Sequence, residues 1–123
     1  MKEIDLEAMS TDELVQRFAA IGVAQDEALL GFRFKEFNRL FRKMADVSQE
    51  LKRRDGDQRR ALLALFSYPN IQVRLKAAKH TLAVAPLAAR RQIEEIAASQ
   101  WFPQAGEAGM SLDLLDDGTF KPT

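Results

Sequence analysis

The chain has no cysteine, a single histidine, a single tryptophan, and only six glycines and four prolines in 123 residues. Without thiols there is no disulfide, no Cys-liganded zinc and no thiol nucleophile, and dithiol redox chemistry is excluded. One histidine, His80, cannot build a His-spaced metal site. The glycines form no phosphate-cradling loop, and no serine stands in a nucleophile elbow. Asp113, Asp116 and Asp117 lack the spacing of a calcium loop and are expected to be a solubilising helix end. No apolar run approaches the roughly 20 residues of a membrane helix, and Glu3, Asp5 and Glu7 interrupt the start where a signal peptide would be apolar. The expectation is a cytoplasmic protein with no cofactor, no metal and no membrane contact. His80 is the one side chain suited to general-base work, but no nucleophile or carboxylate motif accompanies it, so a non-enzyme with no catalytic residue is expected.

Net charge is absent too, at 18 basic and 18 acidic residues, but the balance is local. Residues 33–91 hold 15 Lys and Arg against 5 Asp and Glu, a surplus of +10. Residues 1–32 and 92–123 each carry −5. Either the acidic ends fold back on the basic middle, or the middle faces an acidic partner.

Helical periodicity runs through most of the chain. Ser10 and Glu13 form an S-x-x-E capping box ahead of Leu14, Phe18, Ile21, Ala24 and Ala28, predicting a helix from Thr11 to about Leu30. After Gly31, the residues Phe37, Leu40, Met44, Val47 and Leu51 recur at three- and four-residue steps. This is the seam of an antiparallel helix pair, with Phe34 and Phe41 widening it. Lys52, Arg53 and Arg54 suit the negative helix end before Gly56. Asp57 caps a helix carrying Ala61, Leu62, Leu65 and Phe66. Asn70 caps one from Ile71 to about Val84, and Pro86 opens one through Ile93 and Ile96. A last helix, about Pro103 to Asp116, carries Met110, Leu114 and Leu115, with Phe120 tucked back on the core. No segment alternates like a strand. A single all-α domain over 1–123 follows, of about six helices in antiparallel pairs, divided at 11–54, 57–84 and 86–117.

A shift of 32 residues lays Ser67 on Ser99, Gln72 on Gln104, Arg59 on Arg91 and Leu82 on Leu114, a spacing that suits helical repeats. The run "LLALFSYPNIQVRLKAAKHTL" resembles a HEAT repeat, with a turn at Pro69 and Asn70 followed by Val73-Arg74 and Ala77-Ala78. Through "DELVQRFAAIGVAQDEALL", "QVRLKAAKHTLAVAP" and "WFPQAGEAGM" the chain is similar to an uncharacterised family of small bacterial HEAT-like domains. The resemblance implies a right-handed helical repeat and no established activity. It also implies that the Ile71–Val84 helix lines a concave face. Tyr68 departs from the Asp usual in a HEAT turn, which puts the Asp-to-Arg ladder in doubt for Arg74.

On that helix Val73, Ala77 and Leu82 are expected inside, with Gln72, Lys76, Lys79 and Ala83 on an outward stripe. Arg74 pairs with a carboxylate or helix end, or contacts a ligand. Arg59 and Arg60 stand at a helix start that disfavours cations, so a phosphate or acidic surface is a candidate for holding them. Phe32, Phe34, Phe37 and Phe41 are expected in the core; exposed, interleaved with Arg33 and Lys35, they would suit base stacking. Trp101 and Pro103 close a helix junction, or Trp101, Phe102 and Gln104 form a recognition edge. The candidate binding set is therefore Gln72, Lys76, Lys79, Arg59, Arg60, Trp101 and Gln104. The expected function is non-catalytic binding of a macromolecule, an acidic protein first, in the manner of an immunity or antitoxin-like masking protein. Nucleic-acid binding through a basic face is the alternative, and self-association through the Phe-rich helix stays open.

Overall fold

The structure, a computed structural model, describes residues 5–123; Glu3, part of the acidic start, lies outside them. All regular structure among these residues is helical. Five α-helices follow in order: α1 (Thr11–Leu30), α2 (Phe34–Arg53), α3 (Ile71–Thr81), α4 (Pro86–Ala98) and α5 (Gln104–Asp116). Two 3-10 helices, Leu6–Ala8 and Gln58–Ser67, accompany them. The chain forms two compact units, Met1–Ala61 and Leu62–Thr123.

In the first unit the capping box forms as read. Ser10 Oγ accepts from the Glu13 amide at 3.1 Å and Glu13 accepts from the Ser10 amide at 2.9 Å, satisfying two orphan donors of α1. The three-residue turn at Gly31 to Arg33 returns the chain, so α1 and α2 pack as an antiparallel pair. Leu40, Met44, Val47 and Leu51 on α2 and Leu14, Phe18, Ile21 and Ala28 on α1 are buried. Arg54 closes the pair: it donates to the Met9 carbonyl at 2.6 Å, the Leu6 carbonyl at 3.1 Å and Glu50 at 3.0 Å, tying the N-terminal segment to the end of α2.

The aromatic part of the seam is a correction. Phe34 and Phe41 are 60% and 54% exposed and Phe32 is 77% exposed. Phe34 and Phe41 lie seven residues apart on a flank about a quarter-turn from the Leu40–Met44–Val47–Leu51 stripe, and a hairpin of two helices buries one stripe of each.

The second unit is a three-helix arrangement in which α3 packs on α4 and α5, and α4 on α5. Asn70 Oδ1 caps α3 through the amides of Gln72 and Val73, and Pro86 opens α4. The apolar cluster joins Ile71, Leu75, Ala78 and Leu82 to Ala89, Ile93, Ile96 and Ala108, with Phe66, Leu112 and Leu115 against it. Thus α5 turns Ala105, Ala108, Leu112 and Leu115 inward, whereas Met110 and Leu114 are exposed and Phe120 is about half exposed. The small buried residues of α5 are Ala105 and Ala108, on a face that, of Met110, Leu114 and Leu115 in the sequence pattern, Leu115 alone marked.

The helix expected after Asp57 is a 3-10 helix. Arg59, Leu62 and Leu65 are its buried residues, and their three-residue spacing matches a helix of three residues per turn, which stacks i and i+3 on one line.

Thermal or urea unfolding of two variants tests the seam. Leu51→Ala is expected to cost about 2–5 kcal/mol, as large-to-small core changes do, whereas Phe41→Ala should stay within about 0.5 kcal/mol, as exposed positions do.

Candidate interaction site

The polar residues of α3 do not face outward. Gln72 and Lys76 are buried, because α3 is covered by α4 on the Ile71–Leu75–Ala78 side and met by α5 on the Gln72–Lys76 side. Only Ala83 and part of Lys79 of the expected outward stripe reach solvent. Gln104 Nε2 donates to Gln72 Oε1 at 2.9 Å, and both side chains are buried. The two glutamines that coincide under the 32-residue shift therefore bond to each other, in the first turns of α3 and α5.

One turn along, Lys76 Nζ and Lys79 Nζ both donate to Glu107 Oε2, at 2.7 and 2.9 Å. Burial opposes the charge of Glu107, but the two ammonium groups outweigh it and hold the carboxyl below its ordinary value. Burial pulls the Lys76 ammonium below the usual lysine value despite Glu107, with Lys79 adding to the pull. On the same unit Arg90 bonds Asp116 at 2.8 Å and Glu94 at 3.2 Å. The acidic C-terminal segment thus folds back on the basic middle through Glu107 and Asp116.

Arg59 is also engaged. Its guanidinium bonds both oxygens of Asp57, at 2.9 and 2.6 Å, and its amide bonds the same carboxylate at 3.3 Å. Asp57 thereby supplies the negative charge that the helix start lacks, and no phosphate is needed to explain Arg59. Arg60 is exposed. Arg53 and Arg54 share the buried Glu50. Arg74 takes the helix-end alternative: it donates to the carbonyls of Tyr68 and Pro69, at 2.9 and 3.3 Å, just beyond the 3-10 helix. His80 is half-buried on the last turn of α3. Among the described residues no group of three or more His, Asp or Glu is placed to hold a metal ion, and no helix is long and apolar enough to cross a membrane.

What sequence reasoning missed is the aromatic corner of the first unit. Leu30, Phe32, Phe34 and Phe41 are all exposed, and the rings of Phe32 and Phe34 meet edge to face with centroids 6.3 Å apart. Phe32 has φ +54°, in the left-handed region, while the adjacent Gly31 has φ −93°. Lys35 and Arg42 form a second seven-residue stripe beside Phe34 and Phe41, both exposed, and Arg33 is exposed in the turn. The corner's one signal was the alternation of Phe32 and Phe34 with Arg33 and Lys35; glycine preference pointed instead to Gly31 as the left-handed helix end. In the second unit, Trp101 and Phe102 are exposed beside the Phe102–Pro103 peptide, which is cis.

A helical hairpin followed by a three-helix unit, with Gln72, Gln104, Lys76, Lys79 and Glu107 paired internally, defines a small all-helical domain. The chain belongs to the DUF2019 family, a domain of unknown function, which matches residues 12–116. It is similar to the protein RPA1889 from Rhodopseudomonas palustris CGA009, known as a crystal structure. Identity is 64% over 98% of this chain and 100% of that one, with a TM-score of 0.95. No curated protein matches the chain.

Glu107→Ala removes the carboxylate that Lys76 and Lys79 share and is expected to cost up to about 3–5 kcal/mol, the usual loss when one member of a buried ion pair is removed. Because the folded-state value of Glu107 is depressed, its contribution is complete above the ordinary value of 4.5 and is lost as pH falls through the folded value. Denaturant midpoints measured from neutral to acid pH should fall below that point, and Glu107→Gln should flatten this acid limb.

Proposed function

We propose that the protein is a non-catalytic, HEAT-like binding module of the cytoplasm that engages another protein through the aromatic corner of α1 and α2. The observation that carries this reading is Phe32, which is 77% exposed and held at φ +54°. A left-handed backbone costs a non-glycine residue about 1–2 kcal/mol, and exposing a large aromatic forgoes its burial. Two unfavourable features in one side chain are the mark of a residue kept for contact. Phe32 and Phe34 support each other edge to face, so the pair is ordered before a partner arrives, and exposed aromatics of this kind serve as binding hot spots. Arg33, Lys35 and Arg42 border them and form no ion pair with any described residue, which favours an acidic partner surface. The concrete form would be masking of a bacterial effector by an immunity or antitoxin-like protein. Of the residues first favoured, Arg60 and Trp101 keep exposed surface for contact, while Gln72, Gln104, Lys76 and Arg59 serve the interior.

Nucleic-acid binding is the second reading, favoured by the alternation of exposed Phe32 and Phe34 with Arg33 and Lys35. Against it, Arg39, Arg53, Arg54, Arg59, Lys76, Lys79 and Arg90 of the basic middle are already paired with carboxylates.

The variant Phe32→Asn separates the two demands on this residue. It should raise stability by up to about 1 kcal/mol, because Asn tolerates the left-handed region, while a partner captured by the wild-type protein is lost. Retention of that partner by Phe32→Asn and by Phe34→Ser would remove the corner from the site. Fluorescence anisotropy of labelled single-stranded DNA and RNA across a salt series decides the second reading. No binding at low salt is expected; binding that falls steeply with salt would transfer the corner to nucleic acid.

A further inference from the structure

The three-helix unit contains a cavity of about 260 Å3 lined by Phe66, Arg74, Gln92, Glu95, Ile96 and Ser99. Gln92, Glu95, Ile96 and Ser99 follow one another at i, i+3, i+4 and i+7, so one face of α4 and its C-terminal cap forms a wall. Arg74 enters from the first turn of α3 and Phe66 from the end of the 3-10 helix. Ile96 belongs to the apolar cluster of this unit and is 2% exposed, so Phe66, packed against that cluster, is the apolar surface the cavity offers.

Its polar groups are of opposite sign and do not neutralise each other. Arg74 rests one guanidinium nitrogen on the Tyr68 and Pro69 carbonyls, which orients the group without cancelling its charge. Glu95 is exposed, and the neighbouring Arg90 is occupied by Glu94 and Asp116. Neither Arg74 nor Glu95 forms an ion pair with any described residue, although both line this cavity. Ser99 is spent: its hydroxyl donates to the Ile96 carbonyl at 2.6 Å and accepts from the Trp101 amide at 3.1 Å. The groups left for a ligand are therefore a fixed cation, a carboxylate and the Gln92 amide.

Sign and size narrow the ligand. An inorganic phosphate would suit Arg74 and be repelled by Glu95; a polyamine would suit Glu95 and be repelled by Arg74. A molecule carrying both charges satisfies both at once. The volume lies just under the range of about 300–1,000 Å3 typical of drug-sized ligands, too small for a nucleotide and enough for an amino acid or dipeptide. We propose that this cavity binds a small zwitterion with an apolar body, an apolar α-amino acid or dipeptide. Its carboxylate lies on Arg74, its ammonium on Glu95 and its side chain against Phe66. This site stands apart from the aromatic corner and does not depend on it. With Glu95 and Ser99 at the surface the cavity is open, and millimolar affinity is the expectation.

Titration of the 15N-labelled protein, followed by amide shifts, tests the assignment with L-leucine, leucyl-leucine, N-acetyl-leucine, leucinamide and inorganic phosphate. Leucine or leucyl-leucine should give saturable shifts at Gln92, Glu95, Ile96 and Ser99. N-acetyl-leucine and leucinamide, each lacking one charge, should bind about tenfold more weakly, the loss of one charge-assisted hydrogen bond. Glu95→Gln changes an exposed residue and should keep the fold while erasing the preference for leucine over N-acetyl-leucine. Arg74→Lys keeps a donor for the turn carbonyls and should weaken the carboxylate ligands together. Absence of saturable shifts in the millimolar range, phosphate binding equal to leucine, or an unchanged preference in Glu95→Gln would each overturn the proposal.

Discussion

An ammonium group cannot be removed from water and left alone, and Lys76 is removed from water. It sits between α3 and α5, and its charge is offset there by Glu107, which meets it at 2.7 Å. Lys79 reaches the same oxygen from one turn nearer the end of α3, so one carboxylate fixes two lysines of one helix. Beside it the Gln72–Gln104 bond fixes the first turns of the same two helices. Together the two contacts set the rotation and the height of α5 on α3. Ala105 and Ala108 then need only fit beneath α5, which explains how a helix with so few large inward side chains is held.

Much of the fold was legible because helix signals are local. The Ser10 box, Asn70 and Pro86 name their own helix starts, and Leu40, Met44, Val47 and Leu51 name their own seam. What periodicity could not supply was the number of neighbours each helix has. It assigns α3 an inner and an outer stripe, but α3 is packed by both α4 and α5, so Gln72 and Lys76 lie inside. It assigns Phe34 and Phe41 to the core because aromatics favour burial, whereas a hairpin of two helices buries one stripe of each. The 32-residue shift was a weak signal by identity, yet it paired Gln72 with Gln104, the residues that touch.

The charge pattern resolves in the same way. A basic middle between acidic ends admits either an external partner or an internal one, and Lys76, Lys79 and Arg90 choose the internal partner in Glu107 and Asp116. Arg54 does comparable work in the first unit by gripping carbonyls of the N-terminal segment. Arg33, Lys35 and Arg42 at the aromatic corner, and Arg74, are among the basic residues that take no carboxylate in this pairing. Both functional readings arise where the internal pairing stops.

The 3-10 helix Gln58–Ser67 has a consequence for how the chain length can vary. With three residues per turn, Arg59, Leu62 and Leu65 stand directly above one another, and a single inserted or deleted residue swings the next by about 120°, off the shared line. In an α-helix a neighbouring position can partly compensate such a slip, since a broad apolar stripe offers several. Here the buried line is one residue wide, so this ten-residue segment works as a ruler. Length differences among relatives should gather in the turns and at the exposed tail beyond Asp116, leaving the count between Gln58 and Ser67 constant.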